Sequence, residues 1–255
     1  MSTNFPACER ILGVDFFNGD ARAALQYFLE KKGLLVIPAS PPLTKLQNDD
    51  AYRRAMQEAD VALLDSGLVA AAWQVLSGHP IARVSGSGYL KCVLEFLRPR
   101  GEASVLWIVS SERAQQAEAW LDSSELAAAG RRVHVVAPGT PVEDHALLLQ
   151  IEENRPEHII IATAGGTQEK LGAYLRNYLL YRPCIHCVGA ALAFLTGAER
   201  RIPSSAETAR LGWLFRFASQ PRMILPRIGI AVGLLGMLIR YRAELPPLRP
   251  RWADV

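Results

Sequence analysis

Short runs of continuously apolar residues alternate with longer segments of helical period through most of this chain, and that alternation restricts what it can fold into. The runs "ILGVDFF", "LLVIPAS", "VALLD", "ARVSG", "ASVLWIVSS", "RRVHVVAP", "HIIIATA" and "CIHCVGA" have the length of strands. The segments "DDAYRRAMQEA", "GYLKCVLEFL", "ERAQQAEAWLDSSELAA", "VEDHALLLQIEEN" and "TQEKLGAYLRNYLL" carry the periodicity of helices. Strands apolar on both faces, each followed by a helix, belong in a mostly parallel sheet covered on both sides. The expected fold is α/β, a Rossmann-like sheet with helices on both faces, and 255 residues, half of them hydrophobic, suffice to bury its core. Such sheets bind ligands in the crevice beyond the carboxyl ends of their strands. Candidate functional residues are therefore those that directly follow a strand.

From about residue 204 the texture changes. Tryptophan, arginine and proline become frequent and no βα unit is visible, which divides the chain into an α/β body over 1–203 and a basic, apolar appendage over 204–255. The whole chain is nearly balanced, with 28 basic and 25 acidic residues, but residues 200–255 carry ten Arg, no Lys and only Glu207, Glu244 and Asp254. A basic end on a mildly acidic body points to an anionic partner there, phospholipid headgroups or nucleic acid. The uncharged run Ile228–Ile239 is shorter than the roughly 20 residues a spanning helix needs. Flanked by Arg222, Arg227, Arg240 and Arg242, it suits a membrane interface, or alternatively a helix packed on the body or on another subunit.

The opening "MSTNFPACERILGVDFF" lacks a basic segment followed by a long apolar core, so a cytoplasmic location is expected. Four cysteines at irregular spacing fit a reducing compartment. Cys184-Ile-His-Cys187 has the spacing of half a zinc or redox site, but equally of small apolar residues in a buried strand. No Asp-x-Asp pair follows a strand and the five histidines are scattered, so neither a metal nor another cofactor is expected.

Two places carry chemistry. Asp65 ends "VALLD" and faces the expected crevice, where a partly desolvated carboxylate serves as general base; the structural alternative is a cap for the next helix. Ser66 as a nucleophile is the weaker reading, because "DSG" is not the nucleophile elbow. Gly165-Gly166 lie between "HIIIATA" and a helix beginning near Thr167, where a backbone free of side chains and the first helix amides could meet a diphosphate. Gln168 and Glu169 are expected to project into the same crevice, and the plain alternative is a tight turn with Thr167 as helix cap. A similar turn, Gly86-Ser-Gly88, follows "ARVS". Neither has the G-x-G-x-x-G spacing, which argues against a nicotinamide cofactor.

In order along the chain, "AYRRAMQEADVALLDSG", "RVSG", "GGTQEKLG", "CVGAALAFLTGAERRIP" and "LGWLFRFASQPRMILPR" resemble the successive motifs of the WecG/TagA/CpsF glycosyltransferases. The likeness extends from about residue 11 to 243. It implies an inverting, metal-independent transfer of a sugar such as N-acetylmannosamine from UDP to an undecaprenyl-diphosphate-linked acceptor, in bacterial surface polysaccharide or teichoic acid synthesis. By position, Asp65 is then the base and Gln168 a ligand of donor or acceptor. Ser40, Ser66, Gly67, Gly86, Gly165, Gly166, Thr167, Glu169 and Arg201 would line the substrate site, and Arg216, Arg222 and Arg227 would reach the lipid diphosphate. The protein would sit peripherally on the inner face of an anionic membrane, with no nucleic acid, and with homo-oligomerisation left open.

This chain departs from the family pattern where Thr-Pro-Asn is replaced by Ile37-Pro38-Ala39, with Ser40 the nearest polar substitute. Asp-Gly is Asp65-Ser66-Gly67, and the Pro of Gly-x-Pro is missing. These changes leave room for another donor sugar or for an inactive or regulatory relative that binds lipid-linked sugar; a nucleotide-binding oxidoreductase is a separate alternative.

Overall fold

The structure, a computed structural model, describes residues 7–98, 104–123, 131–137, 140–195 and 224–249. Its centre is an eight-stranded sheet in the order β1-β2-β4-β3-β8-β7-β5-β6. The strands are β1 (Cys8–Ile11), β2 (Val14–Phe17), β3 (Gly33–Val36), β4 (Val61–Ala62), β5 (Val105–Ser110), β6 (Arg131–Val136), β7 (His158–Ala162) and β8 (Cys184–Cys187). Only the β1–β2 pair is antiparallel; the other neighbours run parallel. The helices are α1 (Ala21–Lys31), α2 (Ser40–Leu43), α3 (Asp50–Glu58), α4 (Gly67–Ser77), α5 (Gly86–Leu97), α6 (Ala114–Ser123), α7 (His145–Asn154), α8 (Thr167–Tyr178), α9 (Ala191–Leu195) and α10 (Ile224–Tyr241), with a 3-10 turn at Thr44–Gln47.

Strand alternation separates two cores. Leu34, Val36, Ile159, Ile161, Ile185 and Cys187 face one side, joined by residues of α3, α4, α7, α8 and α10. Leu35, Ile160, Ala162 and Cys184 face the other, with α1, α5, α6 and α9. The two cysteines of "CIHC" therefore lie in separate cores as buried free thiols. They cannot jointly hold a metal or form a redox pair, which settles that reading in favour of packing.

Two apolar runs fold differently from expectation. "ILGVDFF" is not one strand but the turn and second strand of a hairpin, with Leu12 at φ 51 and Gly13 at φ 77, the positive pair that a tight two-residue hairpin demands. "ARVSG" forms no strand. It makes one ladder-like bond, from Val84 N to Leu64 O at 2.9 Å, and then turns into α5.

At the amino ends of β3 and β4, Asp60 ties the sheet to its helices. Its carboxylate accepts from Leu34 N at 2.9 Å, from Arg176 Nε at 2.7 Å and from Arg182 Nη2 at 2.6 Å. Gly33 leaves space for it: φ is +96, and a Cβ there would fall 2.1 Å from Asp60 Oδ2.

The C-terminal segment is partly core. Leu234 and Leu238 of α10 are fully buried and Met237 nearly so, within the same cluster as β3, β7 and β8. Beyond α10 the chain returns across the hairpin, where Leu12 N and Gly13 N donate to Arg242 O and Ala243 O. Arg249 N then donates to Gln47 O at 2.7 Å. No helix among the described residues is long and apolar enough to cross a membrane.

Candidate functional site

Strands β3 and β8 are neighbours whose connections lead to opposite faces, through α2 and α3 after β3 and through α9 after β8. In parallel sheets such a divergence is where ligands bind, beyond the carboxyl ends of the strands. The connections after β3, β4, β7 and β8 are linked there by side chains.

Asp65 follows β4 and is held by Arg83. The guanidinium donates through Nε to the Asp65 carbonyl at 2.8 Å and through Nη2 to Oδ1 at 3.4 Å. The Asp65 side chain keeps 28% of its surface exposed. It does not cap the next helix. Ser66 does, its Oγ accepting from Val69 N at 3.2 Å, so the capping explanation of Asp65 falls. Ser66 Oγ also lies 2.6 Å from Ser40 Oγ, and Ser40 opens α2 after β3. Gly67 sits beside Arg83, 3.7 Å separating a notional Cβ from Arg83 Cδ. Gly86 begins α5 against the end of β8, its notional Cβ 3.1 Å from Val188 O.

The turn after β7 is built otherwise than the sequence suggests. Its cap is Gly166, at φ 92, not Thr167. Glu169 Oε2 accepts from Gly166 N at 2.5 Å, and Ala164 O accepts from both Thr167 N and Gln168 N at 3.1 Å. The amides expected to greet a diphosphate are thus already occupied. Space over the glycines is filled from the β3 side: a Cβ on Gly165 would lie 2.5 Å from Pro42 Cγ, and one on Gly166 2.2 Å from Lys45 Nζ. The glycines permit close approach, but of the segment Pro42–Lys45.

Gln168 and Glu169 are 2% and 0% exposed and do not project into open space. Gln168 Oε1 accepts from Gly189 N at 2.6 Å, and its Nε2 donates to Glu169 Oε1 at 3.1 Å. The pair fastens the β7 connection to that of β8. Burial pushes the Glu169 carboxyl up, against the opposing effect of hydrogen bonds from Gln168 and Gly166 and the charge of Lys45.

Arg201, Arg216 and Arg222 lie outside the described residues, as does the side chain of Arg227. Sequence reasoning gave no role to Arg83 or Lys45. Arg83 stood in the quoted "RVSG"; Lys45 was signalled only as a lone cation in the stretch "PPLTKLQ". Among the described residues no group of three His, Cys, Asp or Glu is placed to hold a metal ion.

Compared with known families, residues 9–248 match the model of the glycosyl transferase WecG/TagA/CpsF family. Among curated proteins none matches the chain.

Proposed function

Because the chain belongs to the WecG/TagA/CpsF family of glycosyl transferases, enzymes of cell-surface polysaccharide synthesis, we propose that it moves a sugar from a UDP donor to a polyprenyl-diphosphate-linked acceptor with inversion at the anomeric carbon. The supporting observation is the convergence of Asp65, held by Arg83, with the Ser40–Ser66 pair at the carboxyl ends of β3 and β4. Asp65 takes the proton of the acceptor hydroxyl. The hydroxyl oxygen attacks the anomeric carbon from the face opposite UDP, which departs with the bonding electrons. Arg83 positions the base. Ser40 stands in for the polar side chain lost at Ala39, and with Ser66 and Gly67 it borders the acceptor end of the crevice.

The donor occupies the side formed by Gly86, Gly165, Gly166 and Thr167. Gln168 and Glu169 hold the walls of that site through Gly189 and Gly166 rather than offering open ligand groups. An N-acetylmannosamine-like sugar is the donor reading that the family resemblance favours. The acceptor's lipid places the reaction at a membrane surface, where Arg216, Arg222 and Arg227 supply cations toward the diphosphate.

Helix α10 supports this membrane role. Ile228, Val232 and Ile239 are 47%, 63% and 63% exposed and share a helical stripe opposite buried Leu234 and Leu238. The helix therefore has an apolar face to spare after packing on the body. Incubation with UDP-sugars and an undecaprenyl-diphosphate-linked acceptor, followed by mass spectrometry, tests the activity. Extension of the acceptor by one sugar is expected; stabilisation by NAD(P) and by no UDP-sugar would refute it.

A further inference from the structure

We propose that Lys45 is the cation that holds the diphosphate of the nucleotide donor, a role that rests on placing the donor at the β7–α8 turn. A diphosphate there needs donors and positive charge. The first amides of α8 cannot supply them, because Glu169 and Ala164 occupy the N–H groups of Gly166, Thr167 and Gln168. Lys45 reaches the same turn from the β3 side. Its ammonium donates to Gly165 O at 3.1 Å and stands directly over Gly166.

The charges around Lys45 make it available to an anion. Asp49 and Glu169 are both close enough to feel its charge. Asp49 is committed to Tyr52 N and to Lys170, each at 2.9 Å. Glu169 is committed to Gly166 N and Gln168. Among the described residues no carboxylate forms an ion pair with Lys45. An ammonium carries three donors, and the contact with Gly165 O uses one. Lys45 is half-buried, so its remaining donors and its charge are only partly met by water. Two residues before Gly165, Thr163 is 5% exposed, and its hydroxyl has no hydrogen-bond partner among the described residues. A buried hydroxyl so close in sequence to the turn calls for a partner that the described residues do not supply.

The test is calorimetric titration of the full-length protein with UDP and, separately, with uridine, which lacks the diphosphate. The proteins are wild type, Lys45→Gln and Lys45→Arg. Gln keeps a donor for Gly165 O but removes the charge, so a purely structural lysine predicts unchanged UDP binding. The proposal predicts a UDP affinity weakened by about ten- to a hundredfold in Lys45→Gln, the range expected for hydrogen bonds to a charged group. It predicts near-normal affinity in Lys45→Arg and equal uridine affinity in all three. In wild type, added salt should weaken UDP binding more than uridine binding, a readout that stands even if Lys45→Gln does not fold. Equal UDP affinity in wild type and Lys45→Gln, equal losses for UDP and uridine, or equal salt effects on the two ligands would overturn the assignment of Lys45. Absence of UDP binding to wild type would instead overturn the donor reading, and this proposal with it.

Discussion

Ser40 Oγ and Ser66 Oγ lie 2.6 Å apart, joining the first residue after the β3 connection to the cap of α4, next to Asp65. Two serines distant in the chain thus fix the spacing of two strand ends. Ser66 has the larger structural duty, because it also caps α4 through Val69 N. Ser66→Ala should cost about 1 kcal/mol of stability, and Ser40→Ala about 0.5–1.5 kcal/mol. The double variant should lose less than the two single losses added, since both delete one shared bond. Urea melts of the three variants measure this; strict additivity would show that the pair contributes nothing.

Asp65 is expected to act on the acceptor and not on the donor. Asp65→Asn should lower turnover by roughly 10²- to 10⁴-fold while UDP affinity stays close to that of wild type. Arg83→Gln removes both bonds that orient the carboxylate. It should therefore lower kcat with a smaller effect on the donor KM. Near-normal turnover in a folded Asp65→Asn protein would remove Asp65 from the mechanism.

Most strands were legible because their apolar runs are continuous, and a mostly parallel sheet followed from the helices between them, although β1 went unread and "ARVSG" formed no strand. The fate of the Gly165–Gly166 turn was not legible. A glycine pair signals that something approaches closely, but the neighbours are Pro42 and Lys45, the latter bonding Gly165 across 120 positions of sequence. Local pattern carries no record of such a contact. Gln168 and Glu169 misled for a related reason: polar residues after a strand suggest a crevice, yet here they satisfy the backbone of Gly166 and Gly189. In α10 both faces read as apolar, so the sequence left packing and membrane contact as rivals. The buried Leu234 and exposed Val232 show that one face packs on the body while another is left exposed.

Replacing Gln168 or Glu169 by Ala should leave the amide of Gly189 or Gly166 without its partner. A buried donor left unpaired costs about 1–3 kcal/mol, so both variants should melt earlier than wild type. Glu169→Gln retains an acceptor for Gly166 N and should recover most of the loss. Thermal melts at fixed pH decide this. An Ala variant with wild-type stability would contradict the fastening role and return Gln168 to the status of an open ligand.

Asp60 should make the fold sensitive to acid. Burial alone would raise its carboxyl, but hydrogen bonds from Arg176 and Leu34 N and the charges of Arg176 and Arg182 outweigh it and hold the group below its ordinary value. Protons therefore bind the unfolded chain more readily than the folded one. The stabilisation is fully present above the unfolded-state value of about 3.9 and is lost as pH falls through the lower folded-state value. Asp60→Asn leaves Arg176 facing a neutral amide at a site whose side chain was 6% exposed. It should cost about 1.5–3 kcal/mol at neutral pH and flatten the loss of stability below pH 4. Stability curves of the two proteins that fall in parallel through the acid range would assign the acid sensitivity elsewhere.

The membrane reading of α10 is best tested on its exposed face, because deletion would confuse docking with folding. Removing residues from 205 onward would strip the core of Leu234 and Leu238, both fully buried, and truncating even one such leucine to Ala commonly costs 2–5 kcal/mol. A truncated protein is therefore expected to be insoluble, whatever its affinity for lipid. Val232→Asp and Ile239→Asp avoid that difficulty, since each side chain is 63% exposed and supports no core. Their melting temperatures should match wild type. Burial of an aliphatic side chain in the interface contributes roughly 1.5–3 kcal/mol, so each variant should sediment with phosphatidylglycerol vesicles about ten- to a hundredfold more weakly. Transfer to a lipid-linked acceptor should fall in parallel, while UDP affinity remains unchanged. Raising the salt should release wild type only partly, because screening acts on Arg240 and Arg242 but not on the apolar stripe. If the double variant still sediments with vesicles and glycosylates the lipid acceptor at the wild-type rate, α10 is a packing helix alone and the membrane contact lies elsewhere.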